Sequence, residues 1–203
     1  ITLQEQLVHK DIPFLQRHMG LDFKVALCKG RANYICLRRL DRAWQSCGDL
    51  FNKEQERELD RLRRWADETR DGSLSDWSPE GGGAAAPPPP PGARTRRAAR
   101  FPEIWSHVCS EPDNCLARAC PFYRRCFLMA ARARAFEADI LVLNHHLYFS
   151  NLALSEQGGG LLPEFDSLVF DEAHEIEETA GEHLGLRVSQ GAYEHWMRRL
   201  YMP

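Results

Sequence analysis

Three closely spaced cysteines constrain this chain more than any other feature. Residues 115–126 read Cys-Leu-Ala-Arg-Ala-Cys-Pro-Phe-Tyr-Arg-Arg-Cys, which gives the spacing C-x4-C-x5-C. The chain has seven cysteines, an odd number, and its first residues lack the pattern of a signal peptide, so a disulfide framework is not expected. Clustered reduced thiols instead predict a metal or metal-cluster site, which needs a fourth ligand from elsewhere in the sequence.

Two cysteines compete for the place of fourth ligand. Cys109 is close in sequence, and a short loop closes at lower entropic cost. Cys36 is the alternative and would close a much longer loop. Zinc sites usually contain cysteine pairs separated by two to four residues, so the gaps of four and five residues favour an iron–sulfur cluster over zinc. Cys28 and Cys47 are expected to be structural.

The overall charge gives no argument for a nucleic-acid partner. The net charge is -3 over 203 residues, so a basic surface must come from local groups of residues. The sequence contains no apolar run of about 20 residues, which predicts no membrane-spanning helix and a cytoplasmic protein. Residues 79–100 are rich in proline, glycine and alanine and predict a disordered insertion.

Hydrophobic periodicity predicts a mixture of helices and short strands. An amphipathic helix is expected over 2–11. It is interrupted or restarted at Pro13, and Gly20 is expected to end it. Asn52 is expected to cap a second helix together with Gln55. The remaining expected elements are a strand at 23–28, the capped helix at 52–70, a helix at 127–137, buried strands at 138–144 and 167–171, a Gly/Pro loop at 155–163 and a helix through Ile176, Ala180 and Leu184.

An acidic sequence follows the second predicted buried strand. Asp171-Glu172-Ala173-His174 would lie at the carboxyl end of that strand, where an open α/β sheet places its ligands. There Asp171 can hold Mg²⁺ and Glu172 can polarise an attacking water, while His174 can link the nucleotide site to a neighbouring domain. The pattern predicts an α/β nucleotide-binding core, although acidic residues at a helix N-terminus are also favoured by the helix dipole.

Four motifs in one order resemble the DinG-type branch of the XPD-like iron–sulfur helicases, which belong to superfamily 2. They are Lys29-Gly-Arg-Ala-Asn-Tyr-Ile-Cys36, the three cysteines of residues 115–126, Asn144-His-His-Leu-Tyr-Phe149 and the DEAH sequence at 171–174. The resemblance implies a RecA-like (P-loop NTPase) helicase domain with an inserted, mostly helical iron–sulfur domain. It implies an ATP-dependent 5′→3′ DNA helicase that acts in DNA repair or replication.

The resemblance also assigns domains, cofactors and ligands. It implies a [4Fe–4S] cluster on Cys36, Cys115, Cys120 and Cys126, with ATP and Mg²⁺ at Asp171 and Glu172. The expected domains are part of the RecA-like domain at 1–29, the cluster domain at 30–136, the RecA-like domain again at 137–175 and the start of a helical insertion at 176–203. The glycine-rich phosphate loop and the second RecA-like domain of such helicases are absent from these 203 residues. The chain is therefore expected to be a fragment without ATPase activity of its own.

Basic and aromatic residues beside the cysteines predict a path for single-stranded or forked DNA. Arginine and lysine neutralise phosphates, and tyrosine can stack on an unpaired base. The candidate residues are Lys29, Arg31, Tyr34, Arg38, Tyr123, Arg124 and Arg125. His145 and His146 are adjacent, so they are expected to point in different directions and neither is expected to bind a metal.

A second function class remains open at this point. The chain could be an iron–sulfur or zinc DNA-binding module without catalysis, and an electron-transfer protein is disfavoured by the DEAH strand. A phosphate loop upstream of Ile1 would favour the helicase, whereas a start codon at Ile1 would favour the binding module. A monomer is expected.

Overall fold

The structure is a computed structural model, which describes residues 3–77, 103–155 and 158–185, together with residues 191, 194, 197, 198 and 200. The insertion predicted at 79–100 lies outside the described residues. The chain divides into one unit at 1–142 and a second at 143–203, and each is described by itself.

The first unit begins with a nearly continuous helix. It consists of α1 (Leu3–Gln6), a π-helical segment (Leu7–Asp11) and α2 (Ile12–Met19). The π-helical segment ends two residues before Pro13, which has no N–H to donate to the preceding turn. Gly20 ends the helix with a φ of 64°, as predicted, because this left-handed conformation favours glycine.

Two short parallel strands follow from two of the three predicted strand regions. Strand β1 (Val25–Leu27) pairs with β2 (Ile140–Val142), and Val25 lies opposite Ile140. Asp139 fixes the start of this pair by accepting a hydrogen bond from the backbone N–H of Lys24 at 2.7 Å. Ile140 is 42% exposed, so the prediction of a buried strand here was right about the strand and wrong about its burial.

The body of the first unit is helical. Its helices are α3 (Leu37–Gln45), α4 (Cys47–Leu50), α5 (Lys53–Glu68), α6 (Trp105–Val108) and α7 (Phe127–Phe136). The core joins α3, α5 and α6 through Leu40, Leu59, Leu62, Ile104 and Val108. The predicted capping box is confirmed: the Asn52 side chain accepts hydrogen bonds from Glu54 and Gln55, and the Gln55 side chain accepts one from the Asn52 N–H.

The second unit contains α8 (His145–Ser155) and α9 (Ile176–Leu184), and α9 confirms the helix predicted after the DEAH sequence. The buried strand predicted at 167–171 is wrong. This segment pairs with no strand among the described residues, and Val169 is 91% exposed. An apolar run becomes a strand only where a neighbouring strand takes up its N–H and C=O groups. Within the described ranges, every helix is too short or too polar to cross a membrane.

Candidate functional site

A short antiparallel contact determines which cysteine faces which way. Ile35 pairs with Cys109, and both side chains belong to the hydrophobic core. Neighbouring residues of an extended segment point to opposite faces. Cys36 and Ser110, each one residue further along, line a cleft that Ile35 also borders and that Cys109 does not line. The Cys36 N–H donates to the carbonyl of Val108 at 2.8 Å, which fixes the Cys36 segment against the end of α6.

Gly72 holds the two cysteine-bearing parts of the chain close together. Its φ is +64°, and a Cβ at this position would overlap the ring of Phe127. Phe127 directly follows Cys126 and begins α7. On the other side, the Gly72 carbonyl accepts a hydrogen bond from the N–H of Ile35 at 2.9 Å. One glycine therefore contacts the residues next to Cys36 and Cys126.

The four cysteines that the family resemblance selected line this one cleft. They are Cys36, Cys115, Cys120 and Cys126. Met129 and Tyr123 contribute to the walls of this cleft. Two 3₁₀ turns, Ala117–Ala119 and Tyr123–Arg125, lie between the cysteines. They turn the chain so that all three cysteines of the 115–126 segment reach the cleft.

The thiols influence one another electrostatically. Burial raises the pKa of Cys126, the N–H groups of Met129 and Leu128 oppose this, and the nearby Cys36 and Cys115 raise it further. The pKa of Cys115 is lowered, first by a hydrogen bond from the backbone of Ala117 and also by the guanidinium of Arg31. The thiolate form required of a metal ligand is therefore favoured at Cys115.

Arg132 is a charged neighbour of this cleft that the sequence analysis did not identify. Burial lowers its pKa, as does the positive charge of Arg31, while Cys115 and Cys126 oppose this. Helical spacing could have indicated this residue. Met129 and Arg132 lie three and six residues after Cys126 along α7, so their side chains share one face of the helix with the cysteine.

The donor set fits a cluster better than a single ion. Four sulfurs around one zinc ion at about 2.3 Å lie about 3.8 Å apart. Among the described residues, no three cysteine sulfurs lie within 4.8 Å of one another. A cubane carries its ligands on four separate irons and accepts wider sulfur spacing. Four cysteines at one cleft are the donor set that a [4Fe–4S] cluster takes.

The other three cysteines have structural surroundings. Cys109 is 6% exposed, and its sulfur lies 3.8 Å from the Ser106 carbonyl. Burial raises its pKa, which opposes ionisation. Cys47 packs against the hydrophobic core, and Cys28 is half-buried beyond the end of β1 with a raised pKa caused by burial.

Contacts within the protein engage most of the predicted DNA-binding residues, beginning with Lys29, Arg31 and Tyr34. The ammonium of Lys29 lies 3.0 Å from the Ser73 hydroxyl and 3.4 Å from a carboxylate oxygen of Glu5, and its side chain is 17% exposed. Arg31 donates to the Glu111 carbonyl at 3.3 Å. Tyr34 is 2% exposed, and burial raises its pKa to about 12. Base stacking by Tyr34, which the sequence predicted, is incompatible with this burial.

The other predicted DNA-binding residues either line the cleft or are next to a lining residue in sequence. Arg38 and Tyr123 line it, and Arg38 donates a hydrogen bond to the Asn114 carbonyl. Arg125 forms an exposed ion pair of 2.9 Å with Asp67. Arg124 is exposed and has no ion pair or hydrogen bond to another described residue. Its charge is available to a partner from solution.

The DEAH sequence forms an exposed turn before α9. The carboxylate of Asp171 accepts a hydrogen bond from the Glu172 N–H at 3.0 Å, and Glu172 adopts the left-handed conformation at φ 50°. His174 lies with its Nδ1 3.4 Å from a carboxylate oxygen of Glu172. In the same unit, the Asn144 side chain accepts a hydrogen bond from the Leu147 N–H and so caps α8.

Comparison with known proteins identifies relatives of one class, the ATP-dependent DNA helicases. The chain is 35% identical over 189 residues to the ATP-dependent DNA helicase YoaA of Escherichia coli (strain K12), which covers 93% of this chain and 27% of that protein. It is 33% identical over 195 residues to the ATP-dependent helicase DinG of Mycobacterium tuberculosis (strain ATCC 25618 / H37Rv), covering 88% of this chain and 26% of that protein.

The chain is thus related to a segment of the DinG/YoaA-type helicases. It spans about a quarter of the length of the curated relatives that it matches. No protein-family profile matches it.

Proposed function

We propose that this chain supplies the iron–sulfur domain and the Walker B motif of an ATP-dependent 5′→3′ DNA helicase of the DinG type, acting in DNA repair or replication. One observation carries the proposal: Cys36, Cys115, Cys120 and Cys126 line a single cleft although Cys36 is far from the others in sequence. The relatives' names, which describe ATP-dependent DNA helicases, supply the activity. The proposed domains are those expected from the sequence, with the cluster domain at 30–136.

The [4Fe–4S] cluster has a structural role in this proposal. When bound, it joins the Cys36 segment to the 115–126 segment by inorganic bonds. The chain's own contribution is to present the four sulfurs: Gly72 fixes the two segments, and Arg31 and Arg132 place positive charge beside the thiolates. This charge offsets part of the negative charge that four cysteines bring to a small volume.

The DEAH sequence is the proposed half of the ATPase site. Asp171 would hold Mg²⁺, Glu172 would polarise the attacking water, and His174 would transmit the state of the site to a neighbouring domain. The exposure of these carboxylates, with the adjacent Asp171 and Glu172 both reaching solvent before α9, supports this assignment.

The rim of the cleft is the proposed contact with single-stranded DNA. Arg124 and Arg125 supply positive charge for phosphates, while Tyr123 offers a ring for base stacking, worth about 1–3 kcal/mol per base. Arg38 lies at the same cleft. Lys29 and Arg31 would have to exchange their present protein contacts to join this surface.

Anaerobic purification tests the proposal. The expected result is a coloured protein with iron and acid-labile sulfide in equal amounts, which binds single-stranded DNA. A colourless protein that contains zinc in place of iron would contradict it.

A further inference from the structure

Helices α8 and α9 of the second unit bring together three side chains that can bind a metal. His146 lies in the first turn of α8, and Glu182 and His183 lie in the last turn of α9. One ligand atom from each residue lies within 4.8 Å of the others. Two histidines and a carboxylate are a common ligand set of zinc sites that keep one position open.

The distances match tetrahedral coordination. Two ligand nitrogens at about 2.0–2.1 Å from a zinc ion lie about 3.3–3.4 Å apart when the geometry is tetrahedral. Nδ1 of His146 lies 3.2 Å from Nε2 of His183. The same Nδ1 lies 3.6 Å from Oε2 of Glu182. An ion can therefore replace the contact between the two rings with little movement of either helix.

The packing of the helices orients these side chains. Thr179 is buried, and Glu182 and His183 follow it by three and four residues, so they lie on the same face of α9. His146 precedes the buried Phe149 by three residues and lies at the edge of the packed side of α8, with 59% of its side chain exposed. Two helices that pack against each other thus contribute ligands from both sides.

His183 has the supporting contact that metal-bound histidines usually have. Its Nδ1 lies 3.2 Å from the hydroxyl of Ser150, which leaves Nε2 to face His146. Such a partner on the second ring nitrogen fixes the orientation and tautomer of a ligating imidazole. His145 points elsewhere, towards Glu175 and Phe170, so the two adjacent histidines diverge as the sequence predicted.

We propose that His146, Glu182 and His183 form a binding site for one divalent transition-metal ion, with zinc the best match to the ligand set. This departs from the sequence expectation that neither His145 nor His146 binds a metal. The bound ion fastens α9, the helix that follows the DEAH sequence, to α8. The site shares no residue with the cysteine cleft and does not rest on the helicase proposal, and its ligands are nitrogen and oxygen rather than sulfur.

Metal titration of the purified chain tests this site. Zn²⁺ is titrated in competition with a chromogenic chelator, and Co²⁺ is followed by visible absorption, because thiolate ligands give intense charge-transfer bands that nitrogen and oxygen ligands lack. We expect one equivalent of Co²⁺ that binds without thiolate bands, in addition to any Co²⁺ that the free cysteines bind with such bands. His146→Ala and His183→Gln should each remove this equivalent, and Ser150→Ala should weaken it about 10–100-fold.

His18→Ala is the matched control, because His18 is an exposed helical histidine whose ring contacts the carbonyl and the ring of Phe14 in the same helix. It should bind the metal as the unmodified chain does. The proposal is overturned if the His146 and His183 variants keep the full equivalent, if the His18 variant loses it as well, or if Co²⁺ binds only with thiolate bands. Circular dichroism of each variant shows whether it is folded, and Glu182→Gln removes a ligand charge at nearly constant volume.

Discussion

Replacing Gly72 with alanine should destabilise the first unit more than its size suggests. The φ of +64° costs an alanine about 1–2 kcal/mol, because a left-handed backbone brings Cβ close to the carbonyl oxygen. The added methyl also overlaps the ring of Phe127, and overpacking of this kind costs about 1–3 kcal/mol. The sum is about 2–5 kcal/mol, a large part of the roughly 5–15 kcal/mol by which domains are stable.

Gly20→Ala separates the two contributions. Gly20 has the same φ of +64°, but no atom lies within 4 Å of the position that its Cβ would take. Urea denaturation followed by circular dichroism should therefore show a loss of about 1–2 kcal/mol for Gly20→Ala from the backbone alone. Equal losses for the two variants would refute the contact with Phe127 as the source of the additional cost.

The same substitution should affect the cysteine site. Gly72 contacts Phe127 and accepts the hydrogen bond of Ile35, which are the neighbours of Cys126 and Cys36. Displacement of either segment moves a ligand sulfur. Gly72→Ala should therefore retain less iron than Gly20→Ala after identical reconstitution, and equal iron contents would show that the cleft does not depend on this contact.

Three further substitutions test the DNA-binding surface, a helix cap and a half-buried carboxyl group. Arg124→Glu should weaken single-stranded DNA binding. It should also reduce the slope of log K against log salt by about 0.7 for each phosphate that the protein no longer neutralises. Arg57→Glu, on the exposed face of α5, is the control and should have little effect. Asn52→Ala should cost about 1 kcal/mol in urea denaturation, because it removes the capping box of α5. Glu58→Gln should stabilise the protein at pH 7, because burial raises the pKa of Glu58.

The sign of the Glu58 effect follows from the direction of the pKa shift. The folded state holds the proton of Glu58 more tightly than the unfolded state does. The stability that this carboxyl group contributes is therefore fully present below the unfolded pKa of about 4.3, and it is lost as the pH rises through the higher folded pKa. The advantage of glutamine should disappear below that pH in thermal melts. A stability difference that does not vary with pH would contradict this reasoning, as would unchanged DNA binding for Arg124 or unchanged stability for Asn52.

Local signals predicted the elements whose causes are local. The capping box of Asn52 and the left-handed end at Gly20 depend on residues a few positions apart, and both are confirmed. The strand at 167–171 is wrong because an apolar run records a tendency to be buried but does not supply a pairing partner. The burial of Tyr34 was missed because it depends on the pairing of its segment with Ser73, far along the chain.

At the cysteine site, too, local sequence signals predicted one part and contacts between distant residues decided the rest. Spacing alone left Cys36 and Cys109 open, and only the family resemblance favoured Cys36. The structure supplies a physical reason, because the pairing of Ile35 with Cys109 turns Cys109 into the core and leaves Cys36 at the cleft. The cluster of His146, Glu182 and His183 had no sequence signal, since it depends on how α8 packs against α9.

The most direct test of the proposed cluster compares Cys36→Ser with Cys109→Ser. Both proteins are purified anaerobically, and iron, sulfide and visible absorption are measured. The account predicts that Cys109→Ser keeps about four irons and four sulfides per chain, as a [4Fe–4S] cluster requires, and that Cys36→Ser loses most of both. A Cys36→Ser protein that keeps its cluster while Cys109→Ser loses it would contradict the account.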